Sequence, residues 1–302
     1  MLNQISDTVL MVRPKNFGFN SETASTNYFQ KDGEGADIAT QAVFEFDNVV
    51  KLLRSVGIEV LVADENDDVI TPDAVFPNNW FACPGNHILI LFPMMAENRR
   101  LEMREAIIDQ LKLKLKHPEI IDLTGYESQN KFLEGTGSIV FDHLNKIAFA
   151  CRSQRTHELP LTELCSKLNY RPVVFNAFDA GRQPVYHTNV VMSVGENFAV
   201  LCQESIMDET GRNAVLNQLN ASGREVINIT FNQMQHFAGN MLQLKNKKGQ
   251  RFIVCSSTAY NSLFEWQKER LMQNGNLLVA EIPVIEKAGG GSIRCMLAEI
   301  FN

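Results

Sequence analysis

The sequence predicts an α/β fold of five strand–strand–helix–strand units, arranged as a five-bladed propeller around a central cavity. Three observations predict this fold. The same order of elements returns along the 302 residues. The front of the chain supplies the elements that the last unit lacks. One position at the start of the first strand of each unit recurs at separations of 58, 52, 51 and 55 residues, in the order Asn79, Gly137, Asn189, Asn240, Cys295.

The first unit shows the pattern in full. Its predicted elements are strands at 73–83 and 87–92, a helix at 95–114 and a strand at 119–123. The two strands flank a tight Pro-Gly-Asn turn, which is typical of a hairpin. The helix is amphipathic because Leu101, Ile108 and Leu111 recur at helical spacing.

Three further units repeat this order. The second has strands at 134–142 and 146–151, a helix at 157–169 and a strand at 171–176. The third has strands at 187–194 and 198–202, a helix at 208–220 and a strand at 224–229. The fourth has strands at 238–244 and 251–256, a helix at 259–273 and a strand at 277–284.

The fifth unit joins the two ends of the chain. Its first strand is predicted at 292–301, and the rest are a strand at 7–14, a helix at 37–56 and a strand at 58–63. Residues 15–36 fit no unit and are rich in Asn, Ser, Thr and Gly, so we expect a flap over the central cavity. We expect residues 1–302 to form a single domain.

Composition narrows the class of protein. Hydrophobic residues make up 45% and charged residues 21%, as in soluble globular proteins. The net charge of −7 argues against nucleic acid or an anionic membrane as partner. No transmembrane run and no secretory signal are apparent. The six cysteines are far apart and fit neither a disulfide framework nor a zinc site, which favours a reducing cytoplasm.

The candidate site is centred on Cys295, in the stretch AGGGSIRCMLAE. Three successive glycines indicate a backbone with positive φ or in close contact with a neighbour. We expect the cysteine where this glycine-rich loop turns into a strand, with backbone amides that favour a thiolate nucleophile. The alternative is a buried structural cysteine, which is what most free cysteines are.

Two other polar residues fall in the same register. Glu134 precedes Gly137, and His187 precedes Asn189. Cysteine, histidine and glutamate from different units could meet on the axis as nucleophile, general acid/base and orienting group. Alternatively, the histidine is a structural hydrogen-bonding residue and the glutamate a turn residue.

Several segments together resemble one known superfamily. They are TPDAVFPNN (71–79), FLEGTGSIVFD (132–142), SQRT (153–156), VYHTNVV (185–191) and the glycine-rich SIRCM. They resemble the pentein, or guanidino-group-modifying, superfamily, which includes arginine deiminase, dimethylarginine dimethylaminohydrolase and amidinotransferases. The resemblance covers essentially the whole chain. It implies a five-bladed α/β-propeller, no metal, no organic cofactor, a Cys295 nucleophile, a His187 acid/base and an orienting Glu134.

The resemblance also implies substrate contacts. Asp73, Asn78 and Asn79 are expected to line the pocket at the reacting carbon. Arg155, with either Arg99 or Arg100, is expected to hold the α-carboxylate of an amino-acid substrate, since an arginine fork matches a carboxylate in geometry and charge. The alternative for Arg99 and Arg100 is an ordinary solvated helix face.

The departures from the superfamily pattern bear on the substrate. Enzymes of this superfamily that act on guanidinium usually have carboxylates where this chain has Asn78 and Asn79, and arginine deiminase has another at Asn189. A buried guanidinium facing amides lacks compensating charge, whereas an amide can donate to and accept from a neutral ureido group. We therefore expect a ureido substrate, citrulline above all, as in the citrulline hydrolases of this superfamily.

Other functions remain open at this point. Succinylarginine dihydrolase resembles this pattern and handles a guanidinium, and Asp73 keeps one carboxylate. The runner-up is thus an arginine or methylarginine hydrolase. A different class is a non-catalytic binding protein on the same scaffold, like translation initiation factor 6. The expected partner is a small amino acid, and a homo-oligomer is possible.

Overall fold

The computed structural model describes residues 3–31, 37–64 and 69–301. Within these residues the strands form five three-stranded sheets, which we call blades 1 to 5. In every blade the inner strand is antiparallel to the central strand, which is parallel to the outer strand. The strand–strand–helix–strand order along the chain explains these directions. An antiparallel pair needs only a turn between its strands, whereas a parallel pair needs a long crossover, which the helix provides.

The blades follow one another along the chain, and each consists of an inner, a central and an outer strand, in that order. Blade 1 has Phe81–Gly85, Ile88–Leu91 and Glu119–Asp122; blade 2 has Val140–Asp142, Ile147–Cys151 and Arg171–Phe175. Blade 3 has Met192–Val194, Phe198–Leu201 and Glu225–Asn228; blade 4 has Leu242–Lys245, Arg251–Ser256 and Asn276–Ala280. Blade 5 has Ala298–Glu299, Thr8–Arg13 and Glu59–Asp64.

Helices of different lengths connect the strands. The longer ones are Ile38–Ser55, Glu105–Lys114, Glu158–Leu168, Glu209–Ala221, Ser257–Ser262, Glu265–Met272 and Pro283–Gly289. Single helical turns occur at Ser21–Ala24, Glu97–Arg100, Gly135–Ser138, Thr188–Val191, Phe231–Gln235 and Ile293–Met296. Short 3₁₀ helices occur at Pro77–Asn79, Thr124–Gln129 and Gln203–Ser205.

The helix Ile38–Ser55 shows how sequence sets packing. Ala42, Phe46, Val49 and Leu53 recur every three or four residues and are all buried. They form part of the hydrophobic cluster between blades 4 and 5. This agrees with the helix predicted at 37–56.

Blade 5 joins the two ends of the chain as the sequence predicts. Val9 pairs with Glu299 and Leu10 with Ala298 in the antiparallel direction, and the backbone N–H of Ile300 donates to the oxygen of Thr8. Inner strands of neighbouring blades contact one another, blade 1 with blade 5 and blade 3 with blades 2 and 4. The starts of these strands therefore meet around one axis.

The prediction that the shared register residues start strands is wrong. Asn79, Gly137, Asn189 and Cys295 lie on a helical turn that precedes the inner strand of their blade. The strands predicted from 73, 134, 187 and 292 therefore begin later, at Phe81, Val140, Met192 and Ala298. A short apolar run has no periodicity that separates one helical turn from a strand, which explains the error.

Two predicted helices are interrupted. The helix predicted at 95–114 breaks after Arg100 and resumes at Glu105, and Leu101, expected in its buried stripe, is 53% exposed. The helix predicted at 259–273 consists of two helices that meet at Leu263. The strand predicted at 277–284 ends at Ala280, since Pro283 begins a helix that was not predicted. In the described part of the chain, no helix has the length and apolar character needed to cross a membrane.

Candidate active site

Cys295 is a buried cysteine whose sulfur contacts two side-chain amides. The Nδ2 atoms of Asn189 and Asn240 lie 3.4 and 3.3 Å from its Sγ. Both asparagines can donate N–H to sulfur, so they stabilise negative charge there without carrying charge themselves. Cysteine and the two amides come from three register positions, on blades 5, 3 and 4.

Asn240 was recognised in the repeat but was not among the predicted site residues. Its Nδ2 also lies 3.2 Å from the backbone oxygen of Asn189, and its Oδ1 accepts from the backbone N–H of Arg294 at 3.0 Å. Asn240 therefore fixes the two backbone segments next to the sulfur, that of Asn189 and that of Arg294. The register itself was the signal for this residue, since the other four register positions lie at the site.

The glycine-rich stretch is in close contact with an aromatic ring. Close contact with a neighbour is one of the two reasons predicted for its three glycines. A Cβ on Gly289 would lie 2.7 Å from the ring of Phe76, and one on Gly291 would lie 2.9 Å from it. Gly290 has φ +63, where side chains are disfavoured. The loop before Cys295 thus requires glycine for packing and for backbone conformation.

His187 and Glu134 form a buried pair. The Nε2 atom of His187 lies 2.8 Å from Oε2 of Glu134, and both side chains are almost fully buried. Burial would raise the pKa of Glu134, but Arg155, His187 and Arg99 together hold it well below its usual range. Glu134 is therefore ionised and accepts from Nε2–H, which leaves Nδ1 of the imidazole as the free acceptor.

Burial also sets the charge of the imidazole. It lowers the pKa of His187 to about 4, although Glu134 acts in the opposite direction. At neutral pH the ring is therefore uncharged and can take up a proton at Nδ1.

Asn79 and His187 border the same space. A Cβ on Gly137 would overlap Nδ2 of Asn79 and would lie 2.7 Å from Nδ1 of His187. Gly135 has φ +46, and a Cβ on it would overlap the backbone oxygen of Asn78. Glycine at both positions, before the inner strand of blade 2, lets the asparagines of blade 1 and the histidine of blade 3 approach closely.

Four buried side-chain atoms of the site have no hydrogen-bond partner among the described residues. They are Oδ1 of Asp73, Oδ1 of Asn78, Nδ2 of Asn79 and Oδ1 of Asn189. The remaining atoms of these side chains have partners: Asn78 Nδ2 donates to Thr136, Asn79 Oδ1 accepts from Arg99, and Asp73 Oδ2 accepts from Asn20 and Thr23. Because unpaired buried polar atoms are costly, this cluster marks a place for a polar ligand.

The three predicted arginines are used differently. Nη2 of Arg155 donates to the hydroxyl of Thr26 and to the oxygen of Thr23, and its Nη1 lies 3.5 Å from Glu134. Arg100 is half-buried and donates to the backbone oxygens of Met94 and Met95.

Arg99 is only 2% exposed, so the alternative of a solvated helix face is wrong for it. It donates to Glu102, to Asn79 and to the oxygen of Phe76.

Residues 15–31, which we call the covering segment, pack over these groups. Asn20 and Thr23 contact Asp73, Thr26 contacts Arg155, and Nδ2 of Asn27 lies 3.3 Å from the oxygens of Gly289 and Gly290. The rest of the flap predicted at 15–36, residues 32–36, lies outside the described residues. A surface pocket that includes Thr26, Tyr28, Arg155 and Tyr186 in its lining adjoins the segment.

Metal ligands are not clustered in the described parts of the chain, where no group of three or more His, Cys, Asp or Glu side chains could hold a metal ion. Cys295, His187 and Glu134 are also placed differently from zinc ligands, since His187 contacts the carboxylate and Cys295 contacts amides.

One family model and several solved structures resemble this chain. The model of the family described as N,N dimethylarginine dimethylhydrolase, eukaryotic, matches residues 13–302. No curated protein sequence matches. The N-terminal domain of ArgZ, an arginine dihydrolase from the ornithine-ammonia cycle in cyanobacteria, has a TM-score of 0.74 at 14% identity, covering 97% of this chain and 98% of that one.

Two further solved structures are similar to this chain in fold. AgrE in a ternary complex with ornithine and NAD+ has a TM-score of 0.75 at 15% identity, covering 99% of this chain and 40% of that one. DDAH from Pseudomonas aeruginosa, a mutant complexed with citrulline, has a TM-score of 0.68 at 13% identity, covering 97% of this chain and 99% of that one. This chain thus spans 40% of AgrE and of the longer ArgZ chain. At these identities the likeness shows the fold, which confirms the predicted five-bladed architecture.

Proposed function

This chain belongs to the family described as N,N dimethylarginine dimethylhydrolase, a family of carbon–nitrogen hydrolases in the pentein superfamily, and from that premise we propose that it hydrolyses a ureido amino acid. The substrate that fits best is citrulline, and the products are ornithine, ammonia and carbon dioxide.

One observation carries this choice of substrate. On the four side chains predicted to contact the reacting group, the unpaired buried atoms comprise one donor, Asn79 Nδ2, and three acceptors, the Oδ1 atoms of Asp73, Asn78 and Asn189. The ureido group of citrulline has one acceptor oxygen and three N–H donors, which is the complementary set. The guanidinium of arginine has five N–H donors and no acceptor, so it would leave the Asn79 amide facing a cation without a partner.

The proposed first half of the reaction uses Cys295 and His187. Nδ1 of the neutral His187 takes the thiol proton, and the Cys295 thiolate attacks the ureido carbon. The tetrahedral intermediate breaks its bond to the substituted nitrogen, to which His187 returns the proton. Ornithine leaves, and a carbamoyl group remains on the sulfur. Asn189 and Asn240 stabilise the thiolate through their N–H groups.

In the second half, His187 takes a proton from water, which attacks the S-carbamoyl carbon. The carbon–sulfur bond breaks and the proton returns to the sulfur, so Cys295 is regenerated. The carbamic acid formed decomposes to ammonia and carbon dioxide. Glu134 pairs with the imidazolium in both halves, since it accepts from Nε2–H.

Arg155 is the proposed partner of the substrate α-carboxylate. It borders the pocket next to the covering segment, and its present hydrogen bonds include the hydroxyl and the backbone oxygen of two threonines of that segment. A carboxylate would replace these neutral acceptors with a charged one. Arg100 donates to backbone oxygens and pairs with Glu127, so it is the weaker candidate.

A second candidate is hydrolysis of arginine or a methylarginine. The family description and the carboxylate of Asp73 favour it. Burial raises the pKa of Asp73, while Arg99 and Asn20 act in the opposite direction. Only this one carboxylate has an unpaired oxygen in the cluster, which is why we rank this candidate second.

The test is to incubate purified protein separately with citrulline, arginine and dimethylarginine, and to assay ornithine, citrulline and ammonia. We expect ornithine and equimolar ammonia from citrulline, and none from a Cys295→Ala variant. Citrulline formed from arginine or dimethylarginine, with no ornithine from citrulline, would overturn the ureido assignment and establish the second candidate. A cytoplasmic location and a homo-oligomer stay predictions.

A further inference from the structure

Asn79 is held in one orientation by a charged neighbour. Its Oδ1 accepts from Nη1 of Arg99 at 2.8 Å, and both side chains are buried. A guanidinium carries only donors, so the carboxamide must turn its oxygen towards Arg99. Nδ2 is then on the opposite side, beside Gly137 and Nδ1 of His187.

Arg99 is itself fixed. Its Nε and Nη2 donate to the two carboxylate oxygens of Glu102 at 2.8 and 3.0 Å, and Nη2 also donates to the oxygen of Phe76 at 3.1 Å. A bidentate contact of this kind fixes the plane of the guanidinium. Glu102 lies three residues after Arg99, the spacing at which helical side chains meet, although the helix itself ends at Arg100.

Resting on the proposed function, we infer that Arg99 is a positioning residue that sets the preference for a ureido over a guanidinium group. It does so by holding the Asn79 carboxamide with its N–H donors towards the reacting carbon. A ureido oxygen can accept from these donors, whereas a guanidinium has no atom that can. Arg99 thus acts through Asn79, with Glu102 as its support.

This role differs from the one that the superfamily resemblance implies. An arginine that binds the α-carboxylate needs free donors that face the substrate. In Arg99, Nε and both N–H groups of Nη2 donate to protein atoms and Nη1 donates to Asn79, so at most one of the five N–H groups is left for a ligand. The two roles predict different substrate dependence. Loss of a carboxylate contact weakens every α-amino-acid substrate alike, whereas loss of the Asn79 orientation changes the ratio between ureido and guanidino substrates.

The experiment compares ligands on a double variant, Arg99→Met with Glu102→Gln, which removes Arg99 together with the carboxylate of its bidentate contact. Asp73, 3.9 Å from Nε of Arg99, keeps its hydrogen bonds from Asn20 and Thr23. Both the double variant and the parent are made on a Cys295→Ala background, and dissociation constants for citrulline, arginine and carbamoylputrescine, a citrulline analogue without the carboxylate, are measured by calorimetry. We expect the arginine-to-citrulline ratio of dissociation constants to fall at least about tenfold, and the citrulline-to-carbamoylputrescine ratio to stay unchanged. Glu102→Gln alone is the control that keeps Arg99.

An unchanged arginine-to-citrulline ratio, or a collapse of the citrulline-to-carbamoylputrescine ratio, would overturn the inference. A parent that binds arginine more tightly than citrulline would instead show that the proposed function fails. Should the double variant not fold, Asn79→Asp on the same background gives the answer, since it keeps an oxygen facing Arg99 and replaces the donor by an acceptor. We expect it to bind arginine more tightly than citrulline, and a retained citrulline preference would refute the inference.

Discussion

Buried polar groups lie at both ends of the inner strand of blade 2, but they are paired within the protein at one end and partly unpaired at the other. At its far end, Asp142 pairs with Nη1 and Nη2 of Arg224 and accepts from Asn145, and Arg224 also donates to the oxygen of Gly195. At its near end, beside Glu134 and Gly137, four side-chain atoms have no partner among the described residues. The polar atoms of the first group are paired within the protein, whereas those of the second are left for a ligand to pair with.

We expect this difference to separate residues that hold the fold from residues that act on a substrate. Removal of one member of a complete buried network leaves an unpaired charge and costs stability. Removal of a member of an incomplete cluster removes a group that the folded protein alone does not need. Three predictions test the distinction, from the largest expected effect on turnover to the smallest.

Cys295→Ala should abolish turnover and leave the thermal unfolding midpoint within a few degrees of the parent. Among the described residues, the hydrogen-bond donors to the sulfur are two neutral amides, so its loss leaves no charge without a partner. Ornithine release and circular dichroism measure the two effects, and acid quench of the active protein should trap a carbamoyl adduct on Cys295 by mass spectrometry. Cys255→Ala, a buried cysteine of the central strand of blade 4, is the matched control. An adduct on another cysteine would refute the assignment.

Glu134→Gln should lower kcat by roughly 10²- to 10⁴-fold, because the imidazole loses the carboxylate that stabilises its charged form. Glu134 raises the pKa of His187, which burial lowers to about 4, so its neutralisation should move that pKa lower still. Nitrogen-15 NMR of the histidine side chains measures the titration and the tautomer. A His187 pKa that rises in the variant would show that the carboxylate does not stabilise the imidazolium.

Asp142→Ala should change kcat of the folded protein little, while the free energy of unfolding should fall by about 3–5 kcal/mol because Arg224 stays buried without its partner. Urea titration and a turnover assay at low temperature measure the two quantities. Asn145→Ala removes only a side chain that donates to Asp142, so it should lower the free energy of unfolding much less. A loss of kcat as large as that of Glu134→Gln would show that the two ends of the strand are not functionally distinct.

Sequence reasoning was sufficient for the architecture because each blade repeats one pattern and the register residues recur in it. It also placed Cys295, His187, Glu134 and Asn79 at one end of the blades. The sequence does not reveal the helical turn that carries Asn189. Its residues Val190 and Val191 are as apolar as the strand Met192–Val194 that follows. A sequence shows hydrophobic periodicity, and one turn is too short to have a period.

The roles of the arginines and amides could not be read from residue types alone. Arg99 and Arg100 are adjacent and chemically identical, yet Arg99 is buried against Glu102, whereas Arg100 is half-buried and donates to backbone oxygens. The orientation of the Asn79 amide depends on which partner reaches its oxygen, and that partner is Arg99, 20 residues further along the chain. Such facts are set by tertiary packing.

The pairing of Ala298 with Leu10 has a consequence for the order of events during synthesis. The strand Thr8–Arg13 leaves the ribosome before blades 1 to 4, and its inner partner follows only after all four have been made. Cys295 lies three residues before that partner strand. Ring closure and arrival of the Cys295 thiol are therefore a single late step, and a nascent chain with four finished blades does not yet contain this thiol.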